Sequence, residues 1–475
     1  MISWQEKREG IIAPDERLPW PATIAMGLQH VLAMFGATVV VPLIMGFDTN
    51  LAILFSGVGT LIFFVVTAGR VPSYLGSSFA FLGPVGVIVG SKAAGTFDAG
   101  AIPAALCGIA AAGLLYALIG GLVQVTGSGW IDRLMPPLVT GAVVMIIGLN
   151  LAPAARNLSA NSPILTIVTL LAILAIGLWG RGLVSRLAIL LGTIVGYVVA
   201  LVLGGTTSAG TVYGGIVVQG VDLGAVLNAP WIGLPHFVTP TLDPRAIILV
   251  APAAIVLVAE NTGHLKAVEA MTGRPMMPHL GRAFAGDGVA TMVAGFFGGT
   301  GVTTYAENIG VMAMTRVYST ALFVVAAFVA ILLGFSPKFG ALIGSIPTGV
   351  IGGVATALFG LIAITGARIW VENRVDFTRG TNLFVASVVL IVGAGDYTIR
   401  LGDFELAGIG IGTFGAIILY QLVRFAPGGS DLDAPADAAV SAQRPLRAGA
   451  ALPPRAHEAG GAQGGRRSGN RRRRR

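Results

Sequence analysis

Apolar residues along this chain gather in blocks of about twenty, divided by short polar breaks. Blocks of that length with almost no charge predict membrane-spanning helices, not the half-apolar helices of a soluble fold. Fourteen such segments are legible, near 21–45, 50–68, 75–91, 101–126, 136–155, 162–179, 186–204, 245–263, 284–298, 301–315, 317–335, 340–366, 381–398 and 406–423. The third, ninth and tenth are short or rich in glycine and small residues, and read as poor simple spans. The expected fold class is therefore an all-α polytopic membrane protein of about 14 transmembrane segments.

Composition agrees: 55% of residues are hydrophobic and 11% charged, against about 25% charged in soluble domains. With the N-terminus placed in the cytoplasm, twelve Lys and Arg fall in cytoplasmic connections and five outside, as the positive-inside rule requires. The connection 205–244 has no Lys or Arg and belongs outside. An even number of spans returns the C-terminus to the cytoplasm, so the expected location is the cytoplasmic (inner) membrane, multi-pass, with both termini inside. Residues 1–20 are polar and mixed in charge, with no cleavable signal peptide. Residues 426–475, ending RRSGNRRRRR, read as a disordered solvated tail with no specific nucleic-acid role. A single cysteine, Cys107, excludes a disulfide within the chain.

The stretch Ser77-Ser78-Phe79-Ala80 repeats as Thr303-Thr304-Tyr305-Ala306: hydroxyl, hydroxyl, aromatic, alanine, 226 residues on. MPPLVTG at 135–141 likewise matches IPTGVIG at 346–352. Two halves of seven spans must point opposite ways, which is an inverted repeat with a pair of interrupted helices, the layout of secondary transporters. The hydroxyl-rich stretches are expected to run as short strands that pair with each other. The half-helices after them would aim their N-terminal amides at a ligand.

Into this apolar background the sequence sets ionisable groups. An acid at membrane depth costs roughly 2.5–3.5 kcal/mol to insert and is a functional candidate by default. Glu307 is one. Glu260 and His264 lie one helical turn apart in PAAIVLVAENTGHLKAV, and His30 follows Gln29 in the first span. The plainer readings are a helix-stabilising Glu260–His264 pair, Glu307 as a backbone cap, His30 as a structural histidine and Asp287 as a helix cap. Two carboxylates on one cavity suit a flat ring with adjacent N–H and C=O groups, on whose faces Phe79 and Tyr305 would stack. A carboxyl in apolar surroundings binds and releases a proton near neutral pH, which offers a coupling device. There is no metal-ligand spacing, no phosphate loop, no dinucleotide fingerprint and no nucleophile motif, so no cofactor and no enzyme activity are expected.

ENIGVMAMTR at 307–316, QHVLAMFGATVVVP at 29–42, YLGSSFAF at 74–81 and ENTGH at 260–264 resemble the nucleobase–ascorbate transporter family, also called nucleobase:cation symporter-2. Within it the chain is most similar to bacterial uracil and pyrimidine permeases. The resemblance runs from about 20 to 425. It implies a core domain (21–127 with 245–336) and a gate domain (128–204 with 337–425), joined by the extracytoplasmic connection 205–244, often as a homodimer in the lipid bilayer. It implies that Glu260 and Glu307 hydrogen-bond the base, that the backbones of Phe79 and Ala306 supply amides, and that Ser78 and Tyr305 stand beside them. His264 would serve proton coupling with Glu260, and His30 would brace the site. Gln29, Asn308, Gly310, Thr315 and Arg316 complete the motifs. The implied activity is proton-coupled import of uracil or a related pyrimidine. Two departures, Ala306 where uracil permeases often have Gly and Phe359 where they have Tyr, leave thymine or a purine such as xanthine open. An anion transporter or channel of similar layout is the alternative of another class.

Overall fold

The computed structural model describes residues 4–90, 96–401, 404–406 and 408–424; the arginine-rich tail foreseen at 426–475 lies outside them. Each of the fourteen apolar segments contains a helix. Among the described residues six helices are long and apolar enough to cross a membrane, with a seventh if Thr320–Gly334 and Pro337–Gly344, bent by 82°, count as one. Five shorter apolar helices follow the same composition: Phe79–Val89, Pro163–Trp179, Ala188–Gly204, Gly380–Ala394 and Gly408–Arg424.

Local chemistry sets the breaks. Asp48 opens the helix Thr49–Val66 by accepting the amides of Asn50 and Leu51, and Ser319 opens Thr320–Gly334 through Ala321. The helix Ala253–Thr272 starts after Pro252 and closes on Gly273 in the left-handed conformation. It runs on past residue 263, where the apolar run fades, and so carries Glu260 and His264 on one continuous rod.

The segment foreseen as a weak ninth span forms an unbroken helix, Leu280–Phe297. Its glycines serve packing. Gly281, Gly288 and Gly295 recur every seven residues and meet Gly113, Gly120 and the backbone near Leu106 on the antiparallel helix Ile102–Thr126. An added Cβ at Gly281 would come within 2.6 Å of the Gln124 amide nitrogen, and one at Gly295 within 2.7 Å of that of Ala110. Only glycine lets two backbones approach so closely, and in lipid such contact substitutes for a hydrophobic driving force. Asp287 therefore lies within a helix and is not a cap.

Two strands interrupt the helices. Leu75–Ser77 pairs antiparallel with Val302–Thr304, in the register Leu75↔Thr304, Gly76↔Thr303, Ser77↔Val302. The ladder continues through Ser78 N–H to Gly301 O (2.8 Å) and Tyr305 N–H to Tyr74 O (3.1 Å). It is centred on Gly76 and Thr303. A two-stranded ladder has bare outer edges, which lipid does not tolerate. Each edge is met by a threonine hydroxyl: Thr60 accepts the Leu75 amide (2.9 Å). Thr291 accepts the Val302 amide (3.1 Å) and donates to its carbonyl (2.9 Å).

The helix packing falls into two sets. Leu280–Phe297 sits between Thr49–Val66 and Ile102–Thr126, while Thr348–Glu372 packs on Pro137–Asn150, Ala152–Ala160 and Pro163–Trp179. Residues 4–19, read from sequence as a polar terminus, fold back onto the chain. Ile12 is buried and bridges Val317, and the Trp4 indole donates to Thr320 Oγ1 at 2.9 Å.

Candidate functional site

The strand pair delivers two helix starts to one place. Ser78 caps the first by accepting the Ala80 amide (3.3 Å), so that Phe79 and Ala80 begin the half-helix. Tyr305 precedes the second, Ala306–Thr315, without a side-chain cap. Phe79 and Glu307 are half-buried and Ala306 is exposed, so the amides at both starts border an opening.

The helix Ala253–Thr272 packs against Ala306–Thr315 and the first half-helix start. That helix carries Glu260, and Ala306–Thr315 opens with Glu307. The two acids thus lie on helices that pack together. A small cleft of about 30 Å3 lies nearby, lined by Ala80, Gly83, Asn150, Val256, Thr413 and Phe414 among others; Val256 is one turn from Glu260. Phe79 packs edge-to-face on Phe359, with ring centroids 5.8 Å apart.

A hydrogen-bond chain holds this helix to the strands, and sequence reasoning missed most of it. Thr304 Oγ1 donates to Asn261 Oδ1 (3.0 Å). Asn261 Nδ2 donates to Asp287 Oδ2 (2.6 Å) and to the Tyr116 hydroxyl (2.9 Å), which itself donates to Leu257 O (3.1 Å). His264 Nδ1 lies 2.8 Å from Thr304 Oγ1. Because the threonine proton is spent on Asn261, the imidazole donates here: the network assigns His264 the Nδ1–H tautomer, with Nε2 as the acceptor. The signal for this chain was faint, a tyrosine in an apolar run and an asparagine beside Glu260.

His30 is set the other way. Asn308 Nδ2 donates to its Nδ1 (3.0 Å) and its carbonyl (3.1 Å), which puts the ring proton on Nε2. The ring packs on Phe323 at 4.8 Å, buried away from the opening. These bonds join helix Trp20–Met45 to the second half-helix.

Tyr305 does not stand where the sequence placed it. It is 3% exposed, lies beneath the first strand, accepts from Thr38 Oγ1 (3.1 Å) and donates to Ser77 O (2.8 Å). Its ring fills the space that a Cβ on Gly76 would need, so the aromatic residue of the second half is spent on packing. Ser78 is likewise fully buried and contributes through its cap. Among the remaining motif residues, Thr315 bonds back to Val311 O (3.0 Å). Arg316 ends the helix in the left-handed conformation, φ 56°. Gly310 faces Arg186, whose guanidinium would lie 3.5 Å from an added Cβ. Gln29 is half-buried beside His30.

Residues 21–401 match the Permease family. The chain is 54% identical over 427 residues to an Escherichia coli K12 protein assigned as the pyrimidine permease RutG, covering 88% of this chain and 94% of that one. It is 40% identical to the uracil permease of Paenibacillus larvae, over 87% of this chain and 96% of the relative. It is 37% identical to the uracil permease of Escherichia coli K12, over 87% and 94%. Among solved structures it resembles the transmembrane domain of the cyanobacterial bicarbonate transporter BicA. There the TM-score is 0.52, with 16% identity over 79% of this chain and 97% of that one. It also resembles SLC26A9 (TM-score 0.57, 11% identity, 86% and 66%). At these identities the structural likeness is one of fold alone.

Proposed function

Because the chain belongs to the Permease family and is a multi-pass membrane protein, we propose that it is a proton-coupled symporter that imports uracil or a related pyrimidine base across the cytoplasmic membrane. What supports this reading is the packing of the helix that carries Glu260 against the half-helix that opens with Glu307, beside two helix starts joined by one strand ladder. A pyrimidine ring places N–H and C=O groups side by side. Its N–H groups would donate to Glu260 and Glu307, and its carbonyls would accept from the amides at Phe79 and Ala306. Phe79 would cover one face of the ring, with Phe359 behind it. His264, held to Thr304 through Nδ1, keeps Nε2 for exchange with Glu260, and these two form the proton site.

The named relatives support the substrate class, and 54% identity over nearly the whole chain supports a pyrimidine over a purine. Fourteen spans in a 7+7 inverted repeat, with both termini cytoplasmic, complete the reading. So does a division into a core (21–127 with 245–336) and a gate (128–204 with 337–425) that works as a homodimer. The likeness to a bicarbonate transporter keeps an anion reading in view, but two acids on the helices at the site disfavour an anion. Radiolabelled uracil uptake into proteoliposomes under an imposed pH gradient tests the proposal. Uptake should follow the gradient, collapse with a protonophore and be competed by unlabelled uracil. Competition by xanthine alone would move the chain to the purines, and uptake indifferent to the protonophore would remove proton coupling.

A further inference from the structure

Between Asp222 and Asp243 run twenty residues without one Asp, Glu, Lys or Arg: LGAVLNAPWIGLPHFVTPTL. After the short helix Leu223–Asn228 they have no regular structure. A connection of this kind normally turns polar groups outward. Here the outward groups are apolar: Leu227, Trp231, Ile232, Leu234 and Leu242 are each 74% to 85% exposed.

The path of the segment fixes its level. Thr241 N–H donates to Pro103 O (3.1 Å) at the start of Ile102–Thr126. Phe237 meets Phe297 (6.4 Å), the last residue of Leu280–Phe297. Gly233 N–H donates to Phe335 O (3.0 Å), and Lys338 N–H donates to Pro230 O (2.9 Å), at the 82° bend after Thr320–Gly334. The segment is thus strung across the ends of three helices, on the side where Ile102–Thr126, long and apolar enough to cross a membrane, begins. The Lys338 ammonium lies 5.1 Å from the Trp231 ring centre and donates to Leu227 O. A cation above an indole, with aliphatic groups beside it, is the arrangement that lipid headgroups and the acyl boundary accommodate. Pro230, Pro235 and Pro240 remove three amide donors from irregular backbone, which lowers the cost of placing it near hydrocarbon.

We propose that residues 223–242 form a membrane-surface anchor, with Trp231, Ile232 and Leu234 inserted among the lipids of one leaflet and Lys338 at the phosphate level. The occupant is lipid because the patch is continuous with the apolar ends of the helices it crosses and meets a cation, Lys338, at its edge. Through Gly233 and Lys338 the anchor fastens the bend between Thr320–Gly334 and Pro337–Gly344 to the membrane surface.

The test uses the full chain with Cys107→Ser, single cysteines at Ile232, Leu234 or Ser208, and a nitroxide label, in phosphatidylcholine–phosphatidylglycerol vesicles. Ser208 is an exposed residue of the same connection outside the apolar stretch. The ratio of oxygen to nickel-chelate collision rates at 232 and 234 should exceed that at 208 roughly fivefold. Equal ratios at all three positions overturn the anchor. Labels at 232 and 234 shielded from both reagents overturn it too, in favour of cover by a second copy. The unlabelled protein gives a check independent of cysteine variants: brominated lipid should quench its tryptophan emission, and Trp231→Phe should remove part of that quenching. If the substitution leaves the quenched fraction unchanged, Trp231 is not in lipid and the anchor is overturned.

Discussion

The half-helices Phe79–Val89 and Ala306–Thr315 start from the same ladder yet bring different chemistry to it. The first carries no ionisable group: Phe79 leads into LGPVGVIV. The second opens with Glu307 and Asn308. The first has a serine cap and ends on Gly90 at φ 72°. The second has no cap and ends on Arg316 at φ 56°, a conformation costing a non-glycine residue about 1–2 kcal/mol. That end is braced instead by the N-terminal segment: Ile12 N–H donates to Arg316 O (3.1 Å), and Tyr318 N–H donates to Ile12 O (2.8 Å). Duplicated geometry therefore need not mean duplicated chemistry. One half contributes shape and backbone amides, the other a charge.

The sharpest way to break this contrast is at the acids. Glu260→Gln and Glu307→Gln should each lower uracil uptake by about 10- to 100-fold, the worth of a charge-assisted hydrogen bond of about 1.5–3 kcal/mol. Uptake per molecule of purified protein in vesicles measures it. Unimpaired uptake by Glu307→Gln would remove the asymmetry of the two halves.

Next in size is the crossing itself. Gly76→Ala drives a methyl into the Tyr305 ring and Gly301→Ala one into the Phe81 ring. Each should cost about 1–3 kcal/mol of overpacking, seen as a lower Tm in detergent. A Tm equal to that of the parent would show that the ladder can spread.

Smaller effects distinguish the helix starts. Ser78→Ala should cost about 1 kcal/mol as a lost cap, and Tyr305→Phe about 1 kcal/mol for its bond to Ser77 O. Tyr305→Phe should leave KM for uracil unchanged, since the ring packs under the strand; a raised KM would return it to the ligand.

The smallest effect concerns the brace. Glu16 accepts the Ala13 amide (2.8 Å) and pairs with Lys7 (3.0 Å), and these hold its carboxyl below the usual range. Stability from a depressed carboxylate is present at neutral pH and is lost as pH falls through the folded-state value. Hydrogen exchange at the Tyr318 amide should therefore quicken, beyond its intrinsic pH trend, as the medium is acidified through the carboxylate range, and Glu16→Gln should remove that acid step.

Much of this arrangement was legible in the chain. Glu260, His264 and Glu307 stood out because charge is costly in an apolar run, and the two strands because hydroxyl and aromatic residues recurred together. Tyr305 was misplaced because a repeat in sequence gives the type of a residue but not the side its ring takes. The Asn261–Asp287–Tyr116 chain was not legible. Its directly bonded partners lie up to 145 residues apart, and packing alone brings them together. The N-terminal brace escaped for the opposite reason: its residues are polar by composition, and one isoleucine, Ile12, supplies the buried contact.

The glycines spaced seven apart between Ile102–Thr126 and Leu280–Phe297 have a mechanical consequence. Each notch receives the opposing backbone, so a slide of one residue along the shared axis would drive side chains into main chain. The pair is thus a keyed shaft, unable to turn or creep. Since Asp287 and Tyr116 sit on its two members, whatever displaces the floor beneath Thr303 and Thr304 must carry both helices along as a single rigid piece.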